Sequence, residues 1–467
     1  MAKILKQLSK QLIPFTYKLN DIDAFCGKTA DNGKAIWEKK VFTTNHLFDY
    51  INAKQTDGKQ GIMTALTVAD GARKYLGIPN ANTEIRLKVR GKQSEPIVIK
   101  LKSVSLYLFE TKVGFVDLDF EYSSDKTDDY VNANYFLSEL KSKDNVLNVK
   151  TGKDDYAETS ITEMLEKIFG LFDKAYGFDK DNALSYYDLK PLLFSAVILD
   201  KMDNDETYLL NHASRNFKDS YQTEDVKTLR PFANSAWAGT DTAIVNVSHL
   251  TDNRQTDDFF LTQFINAVRN NYFYLYLLTL NQKFTLLKRL SQIAQINPKY
   301  VADEEELKRQ DGLVSALIYK SQLYDARCSF ACPSSMRHIN DFYDYARECQ
   351  GNAAFEKELK SKSKALTEIH GTYKTRLDGY KHYRNTKLTF WVFILSQIIG
   401  SVTMFTSCCK LVSDLLDVSV REQPVYYLIP VILTLIFAVT LGIQIFLKAK
   451  ELKKLKTAIK TDKQKDR

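Results

Sequence analysis

The sequence predicts an α+β cytoplasmic domain, of α/β type, leading through a long stalk helix into a hairpin of two transmembrane helices. Three observations carry this. Period-two strand patterns are confined to the first half, the second half is almost wholly helical in pattern, and two long uncharged stretches lie near the C-terminus. The 467 residues suffice for one large or two medium domains. With 44% hydrophobic and 26% charged residues the composition is that of an ordinary globular protein, so the membrane signal is local.

In chain order, residues 1–80 are mixed and show no clear pattern. From 83 onward "TEIRLKVRG", "PIVIKL", "SVSLYLF" and "VGFVDLDFEY" alternate apolar and polar positions, which predicts antiparallel strands and a hairpin over 104–122. Helices are expected at 127–142 and 158–175, and strands at 192–200 and 242–250, making 1–255 a sheet domain with a sensor role. Residues 256–335 read as helical. One helix opens with the acidic turn Asp257–Asp258 and stops at Pro298, and "DEEELKRQDGLVSALIYKSQLYDAR" is a second. No proline occurs between Pro333 and Pro424, so one helix over 336–409 is expected, about 110 Å long at 1.5 Å per residue, with 336–387 as the stalk. Leu359, Leu366, Tyr373 and Tyr380 recur at seven, a heptad seam that calls for a partner helix, expected to be a copy of the same chain. Gly351, Gly371 and Gly379 argue against a straight rod.

Residues 388–409 and 423–447 contain no charged side chain, and each exceeds the roughly 20 residues needed to cross the hydrocarbon layer. "YFYLYLLTL" at 272–280 is too short and is expected as a buried helix of the soluble part. "MAKILKQLSKQLIPF" has neither the apolar core nor the cleavage site of a signal peptide, and none is expected. Lys374, Arg376, Lys381, Arg384 and Lys387 precede the first span, and the tail 448–467 holds nine Lys/Arg against three acids. The connection 410–422 has only Lys410 and Arg421 against Asp414, Asp417 and Glu422. Basic flanks stay inside, so both termini are expected in the cytoplasm, with two spans in the inner (plasma) membrane and the short loop outside. The net charge of +8 is then met by anionic lipid headgroups, and no direct nucleic-acid partner is expected. Six cysteines do not make a disulfide framework in a chain of this length.

On the first span Ser396, Gly400, Thr403 and Ser407 share one helix face, Thr389 extends the row, and Asn385 and Asp378 continue it into the stalk. Trp391, Ile394, Ile398, Val402 and Phe405 form the opposite face. Such a row places rings of oxygens around a pore axis, where they replace the water shell of a passing ion. The same small residues also let two helices pack closely. The continuation of the polar row into the stalk favours the pore. The second span, with Tyr426 and Tyr427 near its outer end and Pro430 one turn on, reads as its lipid-facing partner.

Asp117, Asp119 and Glu121 alternate along one strand and point to a divalent-cation site between subunits or to an exposed sheet face. The stretch "LRPFANSAWAGTDT" (229–242) reads as a loop holding Arg230, Asn234 and Trp237. With Arg215 these supply a phosphate partner, a base-edge amide and a stacking ring for a nucleotide, or they belong to an ordinary surface loop. Cys328, Cys332, His338 and Cys349 offer four zinc ligands at no standard spacing, against the commoner reading as reduced thiols. "CGKT" at 26–29 is no phosphate loop, because Ile22 stands where its first glycine belongs. No catalytic constellation appears among the scattered histidines, and no enzymatic activity is expected.

The order of sheet domain, long helix, first span, tight outer loop, second span and basic tail resembles the CorA family of divalent-cation channels, with "YFYLYLLTLNQKFTLLKRLS" (272–291) similar to the helical segment of its divergent members. The resemblance implies a homopentamer whose first spans line a pore for magnesium or another divalent cation. The chain departs from the family at "MFTSCCK" (404–410), where the Gly-Met-Asn that receives a hydrated cation is missing. Divergent CorA-like proteins beside type III CRISPR systems imply the leading expectation, to which a plain divalent-cation transporter is the second. In the leading one the pore is an antiviral effector gated by a nucleotide second messenger of the S-adenosylmethionine–AMP type, bound by the cytoplasmic domain. A non-conducting membrane-anchored scaffold is the third.

Overall fold

The computed structural model describes residues 2–17, 35–40, 44, 46–49, 51, 62–89, 95–138, 145–153, 155–171, 191–201, 226–296, 304–416 and 428–465. Arg215, the stretch 26–29 and residues 417–427, which hold the end of the expected 410–422 connection and the start of the expected second span with Tyr426 and Tyr427, lie outside them. The chain divides into two compact units, one of residues 1–295 and 321–362, the other of 296–320 and 363–467.

The first unit is a mixed α/β sheet domain. Its central strand comes from the unpatterned N-terminus: β1 (Ile4–Thr16) lies antiparallel between β6 (Val113–Tyr122) and β9 (Leu192–Leu199). From Leu8 to Thr16 every residue is buried, Ser9, Lys10 and Gln11 included, so both faces are covered and no alternation marks the strand. The expected 104–122 hairpin is β5 (Ile97–Phe109) with β6, and the segments "PIVIKL" and "SVSLYLF" form one strand with a register shift between Leu101 and Ser103. The remaining strands are β2 (Trp37–Lys39), β3 (Met63–Val68), β4 (Glu84–Val89), β7 (Asn145–Lys150), β8 (Tyr156–Thr159), β10 (Lys227–Phe232), β11 (Ser235–Gly239) and β12 (Ala243–His249). The order is β10-β11-β12-β9-β1-β6-β5-β4-β7-β8, with β3 pairing β5 and β2 pairing β3. Among these pairings only β12 with β9 is parallel.

Alternation along the central strands splits the core into two layers. On one face Ile13, Phe15, Val104, Leu118 and Val197 pack with α1 (Thr127–Ser138), α2 (Ile161–Leu171) and a 3-10 turn, Asp70–Leu76. On the other, Leu8, Leu12, Phe115, Phe194 and Trp237 pack under a helical run, 254–294, and under α5 (Arg337–Cys349). That run, α3, comprises Arg254–Phe259, a π turn Phe260–Phe264, Ile265–Ala267, a second π turn Val268–Tyr272, and Phe273–Ala294. Asn253 caps it, its side chain accepting from the backbone N–H groups of Gln255 and Thr256. The "YFYLYLLTL" segment is buried throughout, as a short apolar helix laid on a sheet must be.

α4 (Glu304–Cys328) matches the second expected helix. The single helix expected over 336–409 is two: α5 ends at Cys349, Gly351 adopts φ 68°, and α6 runs from Asn352 to Leu416. A left-handed residue ends a helix, and glycine adopts that conformation without a Cβ clash. Gly371 and Gly379 stay helical, and α6 reaches about 97 Å at 1.5 Å per residue. The heptad row finds a partner helix within the chain. In the second unit Leu366 and Tyr373 are buried, and His370 Nδ1 lies 2.7 Å from Asp311 Oδ1 of α4, whose Leu307 and Val314 are also buried. α7 (Leu428–Lys465) carries the second candidate span and continues through most of the basic tail.

Candidate functional site

The apolar parts of α6 and α7 are both long enough and apolar enough to cross a membrane. None of the apolar window of α6 and 6% of that of α7 is buried, so neither is the core helix of a globular unit. Along α6 the half-buried residues over 390–409 are Phe390, Phe393, Ile394, Gln397, Gly400, Ser401, Met404, Cys408 and Cys409, and along α7 over 434–448 they are Thr434, Phe437, Leu441, Ile445 and Lys448. Lys448 Nζ sits 4.4 Å from the ring centre of Phe393, which places the two rows against each other.

The polar row runs beside this face and shares Gly400 with it. Asp378, Asn385, Thr389, Ser396, Thr403 and Ser407 are exposed, and Gly400 is half-buried with open space where a Cβ would stand. The hydroxyls are oriented by the helix itself. Thr389 Oγ1 donates to Asn385 O at 2.9 Å, Ser396 Oγ to Phe393 O at 2.8 Å and Thr403 Oγ1 to Ile399 O at 2.9 Å. Each proton is held by a backbone carbonyl, so each oxygen turns lone pairs outward. The face offers acceptors and no free hydroxyl donors at these three positions, a chemistry that suits a cation or the hydrogens of water.

The strand carboxylates occupy a different setting from both sequence expectations. Asp117 and Asp119 are buried, and their partner is a lysine rather than a metal or solvent. Lys10 Nζ is 2.7 Å from Asp117 Oδ2 and 3.2 Å from Asp119 Oδ2, and 4.7 Å from the ring centre of Phe273. Tyr107 OH donates to Asp117 Oδ2 at 3.1 Å, and Lys40 Nζ donates to Tyr107 OH at 3.2 Å and Ser105 Oγ at 3.3 Å. Burial alone draws the Lys10 ammonium down, but Asp117 and then Asp119 outweigh it and hold it above its ordinary value. Lys40 lacks so close a carboxylate. Burial, then the Lys10 charge, brings it down to about 8. Glu121 turns away to Lys102 at 3.4 Å and Lys100 at 3.9 Å. No group of three His, Cys, Asp or Glu side chains able to hold a metal occurs among the described residues, which covers Cys328, Cys332, His338 and Cys349 as well. Lys10 was missed because its strand shows no period, yet a lysine inside "LSKQLIPF" and two carboxylates on a core strand are each other's natural partners.

The 229–242 segment is a hairpin, β10–β11, rather than a loop. Strand alternation turns Trp237 into the core, its ring centre 4.5 Å from that of Phe342 and 5.3 Å from that of Tyr272. Asn234 Nδ2 donates to His249 O at 2.8 Å inside the fold, whereas Arg230 is exposed on β10. The three side chains therefore share no ligand-facing surface. Patterning left another feature unread: a cavity of 590 Å³ in the sheet unit, between the π turns of α3, the end of β10 and the start of α5. Neither a known family model nor a curated protein matches this chain.

Proposed function

We propose that the chain is a CorA-like, pore-forming membrane protein. Copies associate so that the hydroxyl face of α6 surrounds a pore, and a ligand held by the cytoplasmic sheet unit controls its opening. The observation that carries this reading is the row Thr389, Ser396 and Thr403, exposed within an apolar span and presenting outward acceptor oxygens. The covalent continuity of α6, which begins in the sheet unit and ends in the apolar span, supports a mechanical link from ligand to pore. Both termini are placed in the cytoplasm by the basic flanks, and the lipid bilayer covers the remaining apolar faces. A pentamer, a magnesium or other divalent-cation flux, and a nucleotide second messenger of antiviral defence are what the family resemblance contributes.

The test is flux from liposomes containing the purified chain, read by a magnesium-sensitive dye and a general leakage dye, with and without candidate nucleotide messengers. Messenger-dependent leakage that Ser396→Leu and Thr403→Leu abolish, and Val392→Leu spares, is the expected result. Magnesium entry without any messenger identifies a plain cation transporter. Silence under every ligand identifies an anchored scaffold and overturns the pore.

A further inference from the structure

We infer that the cavity beside the π turns of α3 is a binding site for the planar heterocyclic base of a nucleoside or nucleotide. Its volume of 590 Å³ lies within the range of small-molecule sites, about 300–1,000 Å³. Phe232, Phe259, Phe264 and Tyr272 line it with aromatic rings, and Phe259 is 37% exposed, an open platform rather than a core residue. Beside these faces stand the amides of Gln263, Asn266 and Asn270. Asn266 Nδ2 donates back to Thr262 O at 3.1 Å, and the side chains of Gln263 and Asn270 hydrogen-bond no other described residue. Amides carry a donor and an acceptor each, the complement of a heterocycle edge.

No Lys, Arg, Asp or Glu lines the cavity among the described residues, so the chemistry selects a neutral, planar, polar group rather than a phosphate. The imidazole of His338 fits this character. Burial, then the neighbouring His46, holds it below its ordinary value and so neutral at pH 7. The helix is shaped for the purpose. Phe259, Gln263, Ala267 and Asn271 all line the cavity at a spacing of four. In an ordinary helix such a row drifts by about 40° per step. The wider turns Phe260–Phe264 and Val268–Tyr272 cancel that drift and keep the row facing one side. Opposite them His46, in the left-handed region at φ 66°, is fastened through its carbonyl, which accepts from Ser334 Oγ.

The inference deepens the gating reading and rests on it for its consequence, since it gives the controlling ligand a place and the side chains that hold its base. The experiment is calorimetric titration of the full chain in detergent with adenosine, guanosine, cytidine and uridine, and with ribose 5-phosphate as the base-free probe. At least one nucleoside binds and ribose 5-phosphate does not. Phe259→Ala and Asn270→Ala each weaken binding about tenfold, as loss of one stacking or edge partner does, and Arg230→Ala leaves it unchanged. Absence of nucleoside binding, equal binding of ribose 5-phosphate, or unaltered affinity in both cavity variants overturns the site. Binding by these criteria in protein whose liposomes stay silent upholds the site and removes the gate.

Discussion

Replacing Lys10 by Met keeps most of the side-chain stem and removes the one ammonium that Asp117 and Asp119 share. The Nζ atom is 2.7 and 3.2 Å from their oxygens, and Lys10 is 1% exposed, so water does not replace the lost charge. Tyr107 OH, at 3.1 Å, remains on Asp117, but one neutral donor does not compensate two buried anions. Breaking a buried ion pair from one side destabilises by about 3–5 kcal/mol, a large part of the 5–15 kcal/mol typical of a domain. Because the folded Lys10 ammonium lies above its ordinary value of 10.5, this contribution is fully present below pH 10.5 and is lost only as pH rises through the folded value. Guanidinium unfolding of the detergent-solubilised chain in a Trp391→Phe background, followed by the buried Trp37 and Trp237, reads the sheet unit. Lys10→Met is expected to lose about 3–5 kcal/mol, and Lys10→Met with Asp117→Asn and Asp119→Asn to recover most of it. A loss below about 1 kcal/mol, the scale of a solvated surface pair, refutes the reasoning. So does a triple variant no more stable than the single one.

Two further perturbations test the same unit. Lys40, near 8 in the fold against 10.5 when free, binds fewer protons folded than unfolded, so its own contribution to stability rises between pH 8 and 10.5, by about 3 kcal/mol; Tyr107, Tyr122 and Cys349, which burial holds above their ordinary values, oppose it over the same range, so the rise is read as the difference between the unmutated chain and Lys40→Met in unfolding curves at pH 7.5 and 10. A Cβ at Gly239 would stand 2.6 Å from both Cys349 Sγ and Tyr345 OH, so Gly239→Ala is expected to cost about 1–3 kcal/mol. Adding Cys349→Ala restores part of that loss in the same assay.

Strands were readable where polar and apolar residues alternate, and also where a short apolar run stands out, as in β9 and β12, which are buried on both faces. β4, β5 and β6 alternate visibly, and their hairpin fell where expected. β1 is covered on both sides and carries Ser9, Lys10 and Gln11 inside, so its sequence has no contrast to report. β10 and β11 were passed over because Arg230, Asn234 and Trp237 form an apparent ligand set when read along the chain. Pairing with β12 fixes which of them point inward. The heptad row on α6 correctly called for a neighbour, but heptad spacing does not distinguish another chain from α4 of the same one.

The sequence by itself determined the two apolar spans, the polar row on the first and the division into a sheet-rich half and a helical half. Hydrocarbon thickness and helical periodicity are local requirements that composition and spacing satisfy without reference to any neighbour. Only the tertiary structure decided that Lys10 neutralises Asp117 and Asp119, that Trp237 is a core ring, and that two π turns, a hairpin end and His46 enclose one cavity. These partners come from segments up to some three hundred residues apart, and register and packing, which no single stretch encodes, are what bring them together.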